Sequence, residues 1–87
     1  MNSSYGVVMA RRYEIEVAFR HAIKISDKGR RTVTTVDFVT ELAKRNWIWE
    51  LREANQWIEE RVTTFHDIST EEGDARTFAI FNPNGGL

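Results

Sequence analysis

The 87-residue chain contains no cysteine, and this absence narrows what the protein can be. Without thiols it can form neither disulfides nor thiolate metal sites, so its fold must rest on a hydrophobic core. No apolar run approaches the roughly 20 residues of a transmembrane helix, and no signal-peptide pattern is present. We therefore expect a cytoplasmic protein that has no membrane partner.

Histidine is also scarce, since His21 and His66 are the only two in the sequence. They are far apart in the chain and lack the spacing of metal ligands. His66 precedes Asp67, which resembles two members of a catalytic triad, but no serine or threonine is placed as a nucleophile. The chain also lacks a glycine-rich phosphate loop. The sequence therefore predicts no catalytic, cofactor-binding or metal-binding residues, and hence a protein that is not an enzyme.

Hydrophobic residues are plentiful, at 41% of the chain, and they include three tryptophans, five phenylalanines and two tyrosines. Large aromatic side chains bury the most area per residue, so one domain of this length can form an adequate core. We divide the chain into a flexible N-terminal arm at residues 1–9, a single domain at residues 10–82 and a C-terminal tail at residues 83–87.

The segment from Ala10 to Ile25 is predicted to form the first helix. It lacks glycine and proline, and Glu16 stands four residues before Arg20, as in a helical ion pair. The alternation of apolar residues over positions 13–19 leaves a strand as the alternative. The helical interpretation places one apolar face on Ile15, Ala18, Phe19, Ala22 and Ile23.

A turn at residues 26–31, with Gly29 as the helix stop, and a short strand at residues 32–34 are predicted to follow. Thr35 is expected to cap a second helix, which Asn46 should end by adopting the left-handed conformation. The buried face of this helix is expected to hold Val36, Phe38, Val39, Leu42 and Ala43.

A third helix is predicted from about Trp49 to Arg61, because apolar residues recur there at spacings of three and four. The pattern then changes to that of two strands, at residues 62–68 and 76–81, joined by a glycine-containing loop. This order of elements predicts an α+β fold of the winged helix-turn-helix type, with three helices, a short strand and a C-terminal two-stranded β-hairpin wing.

Two stretches of the sequence resemble small, mostly uncharacterised proteins encoded by enterobacterial phages and prophages. They are T-V-D-F-V-T-E-L-A-K-R-N at residues 35–46 and F-H-D-I-S-T-E-E-G-D-A-R-T-F-A-I-F-N at residues 65–82. The resemblance is strongest over residues 35–86. It implies an accessory or regulatory role and a host or phage protein as the partner, and it supplies no functional residues.

The net charge of −1 conceals a division along the chain. Residues 1–46 carry nine Lys or Arg against five Asp or Glu, whereas residues 47–87 carry three against eight. Such a division is most often a set of solvated faces. It can also orient a partner or favour head-to-tail self-association, so a homodimer is among the expected states.

The third helix and the wing tip are both acidic, and DNA would repel them because most DNA affinity comes from neutralising phosphates. We therefore predict that this region binds a protein. Trp47 is expected in the core, whereas the candidate interface residues are Trp49, Glu53, Gln56, Trp57 and Glu60. A second apolar strip, which either meets a partner or covers the domain itself, consists of Met9, Tyr13 and Val17.

The alternative function is that of a winged-helix DNA-binding regulator that contacts phosphates through the basic N-terminal half. Its candidate phosphate contacts are Arg11, Arg12, Lys28, Arg30, Arg31, Lys44 and Arg45. Arg52 and Asn55 of the third helix would add contacts to base edges. The simpler explanation of the basic residues is that they solubilise the domain and cap its helices.

Overall fold

The computed structural model describes residues 4–80, which form three helices and four strands in an α+β fold. The elements are α1 (Ser4–Ala22), β1 (Lys24–Ile25), β2 (Arg31–Thr34), α2 (Thr35–Lys44), α3 (Leu51–Arg61), β3 (Phe65–Asp67) and β4 (Thr77–Ile80). The strands make one antiparallel sheet in the order β1-β2-β4-β3. This confirms an α+β fold with three helices, and the sheet has one strand more than predicted. The predicted C-terminal tail lies outside the described residues.

Helix α1 confirms the helical interpretation of the first segment, with Ala18 and Ala22 fully or almost fully buried. It begins at Ser4, and so includes residues that we assigned to the N-terminal arm. It ends before Lys24 because that residue and Ile25 form β1, a strand the sequence did not predict. Gly29 therefore does not stop the helix. It lies at φ 81° in the turn that joins β1 to β2.

Helix α2 is capped by Thr34, and not by Thr35 as predicted, because the hydroxyl of Thr34 accepts a hydrogen bond from the backbone N–H of Asp37 at 3.0 Å. Phe38 and Leu42 are fully buried, as predicted. Val36 is 49% exposed, and Ala43 is exposed too, so the buried face of α2 is narrower than predicted.

Helix α3 begins at Leu51, two residues later than predicted, with Glu50 as its N-cap. Asn46 has the predicted left-handed conformation, at φ 69°, in the turn that follows α2. Ala54 and Ile58 are fully buried, which confirms the predicted core-facing stripe of this helix.

The sheet registers set the positions of its two turns. Strand β4 lies between β2 and β3, with Thr34 opposite Thr77 and Phe65 opposite Ile80. The loop that joins β3 to β4, residues 68–76, therefore lies at the Thr77 end of β4. The turn between β1 and β2 lies at the other end of the sheet, because β2 is antiparallel to β4.

An aromatic cluster forms the centre of the core between α1, α2, α3 and the sheet. The ring of Phe19 packs edge-on against Phe38 at 5.4 Å and against Phe65 at 5.3 Å between centroids. Trp57 lies 5.3 Å from Phe38 and 5.6 Å from Phe19. These are the separations at which aromatic pairs attract beyond their burial, so the cluster links all three helices to β3.

Ile58 and Ile48 provide a matched pair for testing this core, because Ile58 is fully buried and Ile48 is 80% exposed. We expect Ile58→Ala to lower the free energy of unfolding by about 2–5 kcal/mol, since it leaves a cavity among the core side chains. Ile48→Ala should change it by no more than about 0.5 kcal/mol. Urea unfolding followed by tryptophan fluorescence measures both, and equal losses would contradict the packing of α3.

Candidate functional site

A buried hydrogen-bond network fastens α2, α3 and the β3–β4 loop together. The hydroxyl of Thr35 donates to Oδ1 of Asn55 at 2.6 Å and accepts from the backbone N–H of Arg76 at 3.0 Å. The Asn55 amide donates in turn to the backbone carbonyl of Asp74 at 2.7 Å. Thr35 is fully buried and Asn55 nearly so, hence the bond between them is protected from water. The position of the loop on α3 is thereby fixed.

The side chain of Arg76 makes a second connection between the same elements. Its Nε donates to the carbonyl of Gly73 at 3.0 Å, within the loop. Its Nη1 lies 3.3 Å from a carboxylate oxygen of Glu59 on α3 and 3.3 Å from one of Asp67 on β3. One guanidinium group therefore links the loop to a helix and to a strand.

Asp67 holds the beginning of the loop. One of its carboxylate oxygens accepts hydrogen bonds from the hydroxyl and the backbone N–H of Ser69. The Ser69 hydroxyl oxygen also accepts from the backbone N–H of Thr77 at 2.9 Å. The Ser69 hydroxyl is the main cause of a lowered Asp67 pKa, and the backbone N–H of Ser69 and the charge of Arg76 lower this pKa further.

This arrangement gives α3 and the loop one continuous surface, which we call the acidic face. Its carboxylates belong to Glu53, Glu59, Glu60, Glu71, Glu72 and Asp74, all exposed. Arg52 and Arg76 are the cations among them, whereas Arg61 of α3 lines a separate groove with Glu16 and Arg20 of α1. The face defined by these residues therefore has a formal charge of −4. Arg76 is already paired with two carboxylates. The local potential is therefore negative over both elements.

Each of the three tryptophans is partly buried and packs against the core. Trp47 does so as predicted, and it meets Trp49 edge-on at 6.4 Å between ring centroids. Trp49 also packs against Phe38 at 6.1 Å. Trp57 and Trp49 were predicted as partner contacts, and both are half-buried. Each can therefore offer a partner only its outer edge.

The other predicted interface residues are divided between the helices. Gln56 is exposed on α3, between Glu53 and Glu60. On α1, Tyr13 is 57% exposed and Val17 is half-buried. The side chain of Met9 lies outside the part that the structure describes, as do those of Arg11 and Arg12. Tyr13 and Val17 therefore lie on α1, whereas the acidic face is formed by α3 and the β3–β4 loop.

The predicted phosphate contacts fall into two groups. Lys28, Arg30 and Arg31 are exposed on the β1–β2 hairpin. Lys44 and Arg45 instead pair with Glu41 at 3.1 and 3.2 Å, within the last turns of α2. The hydrogen bond from Lys44, followed by that from Arg45, lowers the pKa of Glu41. Lys44 and Arg45 thus neutralise a carboxylate of their own helix.

Asn55 is the predicted contact that the structure contradicts. The helical pattern placed it on the outer face of α3, but it is 6% exposed and its amide is bonded at both ends. It cannot read a base edge without breaking the buried network. Arg52 is exposed on α3, within the acidic face.

Two features of the site were not predicted from the sequence. Arg76 was assigned only to a strand, because its partners Glu59 and Asp67 are distant in the chain. Ile48, 80% exposed, lies two residues before Glu50, the N-cap of α3. The sequence could have indicated this exposure, because Ile48 lies between two tryptophans and outside the buried stripe formed by Ala54 and Ile58.

Among residues 4–80, no group of three or more histidine and carboxylate side chains is placed to hold a metal ion. None of the helices in this range has the length and apolar character needed to cross a membrane.

Comparison of the chain with known protein families, with curated proteins and with solved structures gives no significant match. The acidic face and the β1–β2 hairpin must therefore be interpreted from their own chemistry.

Replacing Thr35 by Val tests the buried network. The valine keeps the shape of the side chain but leaves Oδ1 of Asn55 and the N–H of Arg76 without their partner. We expect a loss of about 1–3 kcal/mol in the free energy of unfolding, with faster hydrogen exchange at the Arg76 amide. Thr40→Val is the control, because that hydroxyl is exposed and bonds only within α2. Equal losses in the two variants would contradict the network.

The lowered pKa of Asp67 predicts how stability depends on pH. Its contribution is fully present above the pKa of an unfolded aspartate, about 4, and is lost as pH falls through the lower pKa of the folded state. We therefore expect Asp67→Asn to be less stable than the wild type at neutral pH. The difference should shrink below about pH 4. Urea unfolding at a series of pH values measures this, and parallel curves for the two proteins would contradict it.

Proposed function

We propose that this domain is a winged helix-turn-helix whose third helix and wing bind a protein. The order of the helices and of strands β2, β3 and β4 supports the fold assignment, because α3 is followed directly by an antiparallel hairpin. In this assignment α3 occupies the place of the recognition helix, and the β3–β4 loop is the tip of the wing.

The observation that carries the proposal is the charge of the acidic face. A recognition helix and wing that approach DNA need cations for the phosphates, and this face has a formal charge of −4. Asn55 is committed to the buried network, which removes one of the predicted base contacts. A basic protein surface is the partner that complements this charge.

Apolar groups at the border of the acidic face provide hydrophobic contact area for a partner, which carboxylates alone do not. Trp57 lies four residues after Glu53 and three before Glu60, so its outer edge adjoins both on the surface of α3. Ile48 is exposed just before the helix begins. Binding energy at protein interfaces is concentrated in such aromatic and apolar groups, while the surrounding charges orient the partner.

The phage proteins that the sequence resembles provide a biological setting for this proposal. We place the protein among small accessory or regulatory factors of a phage or prophage, with a host or phage protein as its partner. The basic N-terminal half remains the basis of the alternative function, DNA binding.

Removing charge from the wing tip tests this function. Glu71 and Glu72 are exposed, so we expect Glu71→Gln/Glu72→Gln to fold normally and lose a basic protein that the wild type captures from an enterobacterial lysate. Glu14→Gln/Glu16→Gln on α1 makes the same change in net charge and should retain it. Quantitative mass spectrometry of the captured proteins measures all three samples.

Two results would count against protein binding by the acidic face. Equal recovery of basic proteins by the wild type and both variants would show that these glutamates do not matter. Salt-sensitive binding of the wild type to a random-sequence DNA duplex, lost in Lys28→Gln/Arg31→Gln, would favour the DNA-binding alternative.

A further inference from the structure

The β1–β2 hairpin, residues 24–31, is the one strongly basic part of the sheet that the structure describes, and we call it the basic hairpin. Within residues 24–31 the cations are Lys24, Lys28, Arg30 and Arg31 and the one carboxylate is Asp27, which gives the segment a formal charge of +3, although Lys24 also pairs with Asp37 of α2. All five charged side chains of the segment are exposed. The proposed function makes no use of this surface.

The basic hairpin is well ordered by its own hydrogen bonds. The Ser26 hydroxyl oxygen accepts from the backbone N–H of Arg30 at 3.1 Å and from that of Lys28 at 3.3 Å. Lys24 forms an ion pair with Asp37 of α2 at 3.1 Å. The turn is therefore fixed to the sheet and to a helix, so little order has to be gained when it binds a partner.

The sheet separates the turn of the basic hairpin from the β3–β4 loop, which carries Glu71, Glu72 and Asp74 of the acidic face. The hairpin turn lies at the end of the sheet where β2 begins, and the β3–β4 loop lies at the opposite end, where β4 begins. Patches of opposite charge that are held at opposite ends of one sheet can meet each other only between molecules. The complementary surface for each patch is thus present on every other copy.

We propose that the basic hairpin of one molecule docks on the acidic face of a second copy. The inference deepens the proposed function, because it names a second copy of the chain as a partner of the acidic face. The patches have formal charges of +3 and −4, and the whole chain has a net charge of only −1. Two copies therefore gain attraction between patches with little overall repulsion.

The proposed contact is head-to-tail, because it joins two different surfaces. Each added copy leaves one basic hairpin and one acidic face open, so association continues into short chains unless the rotation between copies closes a ring. A copy docked in this way covers the acidic face. Self-association would then compete with capture of any other basic protein, and dilution or the partner would release the monomer.

Sedimentation velocity measures this association directly on the full chain. At an ionic strength of about 20 mM we expect the weight-average mass to rise with protein concentration, and at about 500 mM we expect a monomer, because salt screens exposed charges. Lys28→Gln/Arg31→Gln and Glu71→Gln/Glu72→Gln should each weaken the association about tenfold, as the loss of two exposed ion pairs implies. Arg20→Gln/Lys44→Gln, which removes two exposed cations of α1 and α2, should leave the association unchanged.

Mixing the two interface variants makes the test specific. The first retains its acidic face and the second its basic hairpin, so one native contact can form between them. We expect a one-to-one complex that does not grow further, which sedimentation equilibrium distinguishes from longer chains. A wild type that is monomeric at low salt at every concentration, or a mixture that behaves as two separate monomers, would overturn the proposal.

This result can be separated from failure of the proposed function. A wild type that captures a basic lysate protein through Glu71 and Glu72 but never self-associates overturns only the contact between copies. A wild type that self-associates but captures no basic protein even at a dilution where it is monomeric overturns only the binding of a foreign partner.

Discussion

The hydrogen bonds of Thr35 are the constraint on which the rest of this structure depends. One hydroxyl joins the first residue of α2 to Asn55 of α3 and to the backbone of Arg76 just before β4. Because these groups are buried, none can be left without a partner cheaply. The angle between α3 and the hairpin that follows it is thereby settled, and with it the continuity of the acidic face.

The exposed charges have a different role from the buried hydrogen bonds that hold the fold. The carboxylates of the acidic face and the cations of the basic hairpin are exposed, so each contributes little to stability. Their effect is on which molecules approach and in what orientation. Burial in the core and in the Thr35 network stabilises the fold, whereas in our proposal the segregated surface charge selects the partner.

Local patterns in the sequence predicted the features that depend on neighbouring residues. The spacing of Ala54 and Ile58 identified the buried stripe of α3, and Asn46 identified the left-handed turn after α2. Contacts between distant residues were missed. The bond between Thr35 and Asn55 spans 20 residues, and without it the helical pattern assigns Asn55 to the surface and Thr35 to the cap. Strand β1, two exposed residues long, has too little pattern to be recognised.

Asn55 holds the β3–β4 loop by its backbone, which leaves the side chains of the loop free to vary in evolution. Its amide bonds to the backbone carbonyl of Asp74, a group that every amino acid provides at that position. The exposed side chains of the β3–β4 loop can therefore be exchanged for others without disturbing the hydrogen bond beneath them. A protein of this design can acquire a new partner by altering a few loop residues, while selection on its folding acts on a separate set.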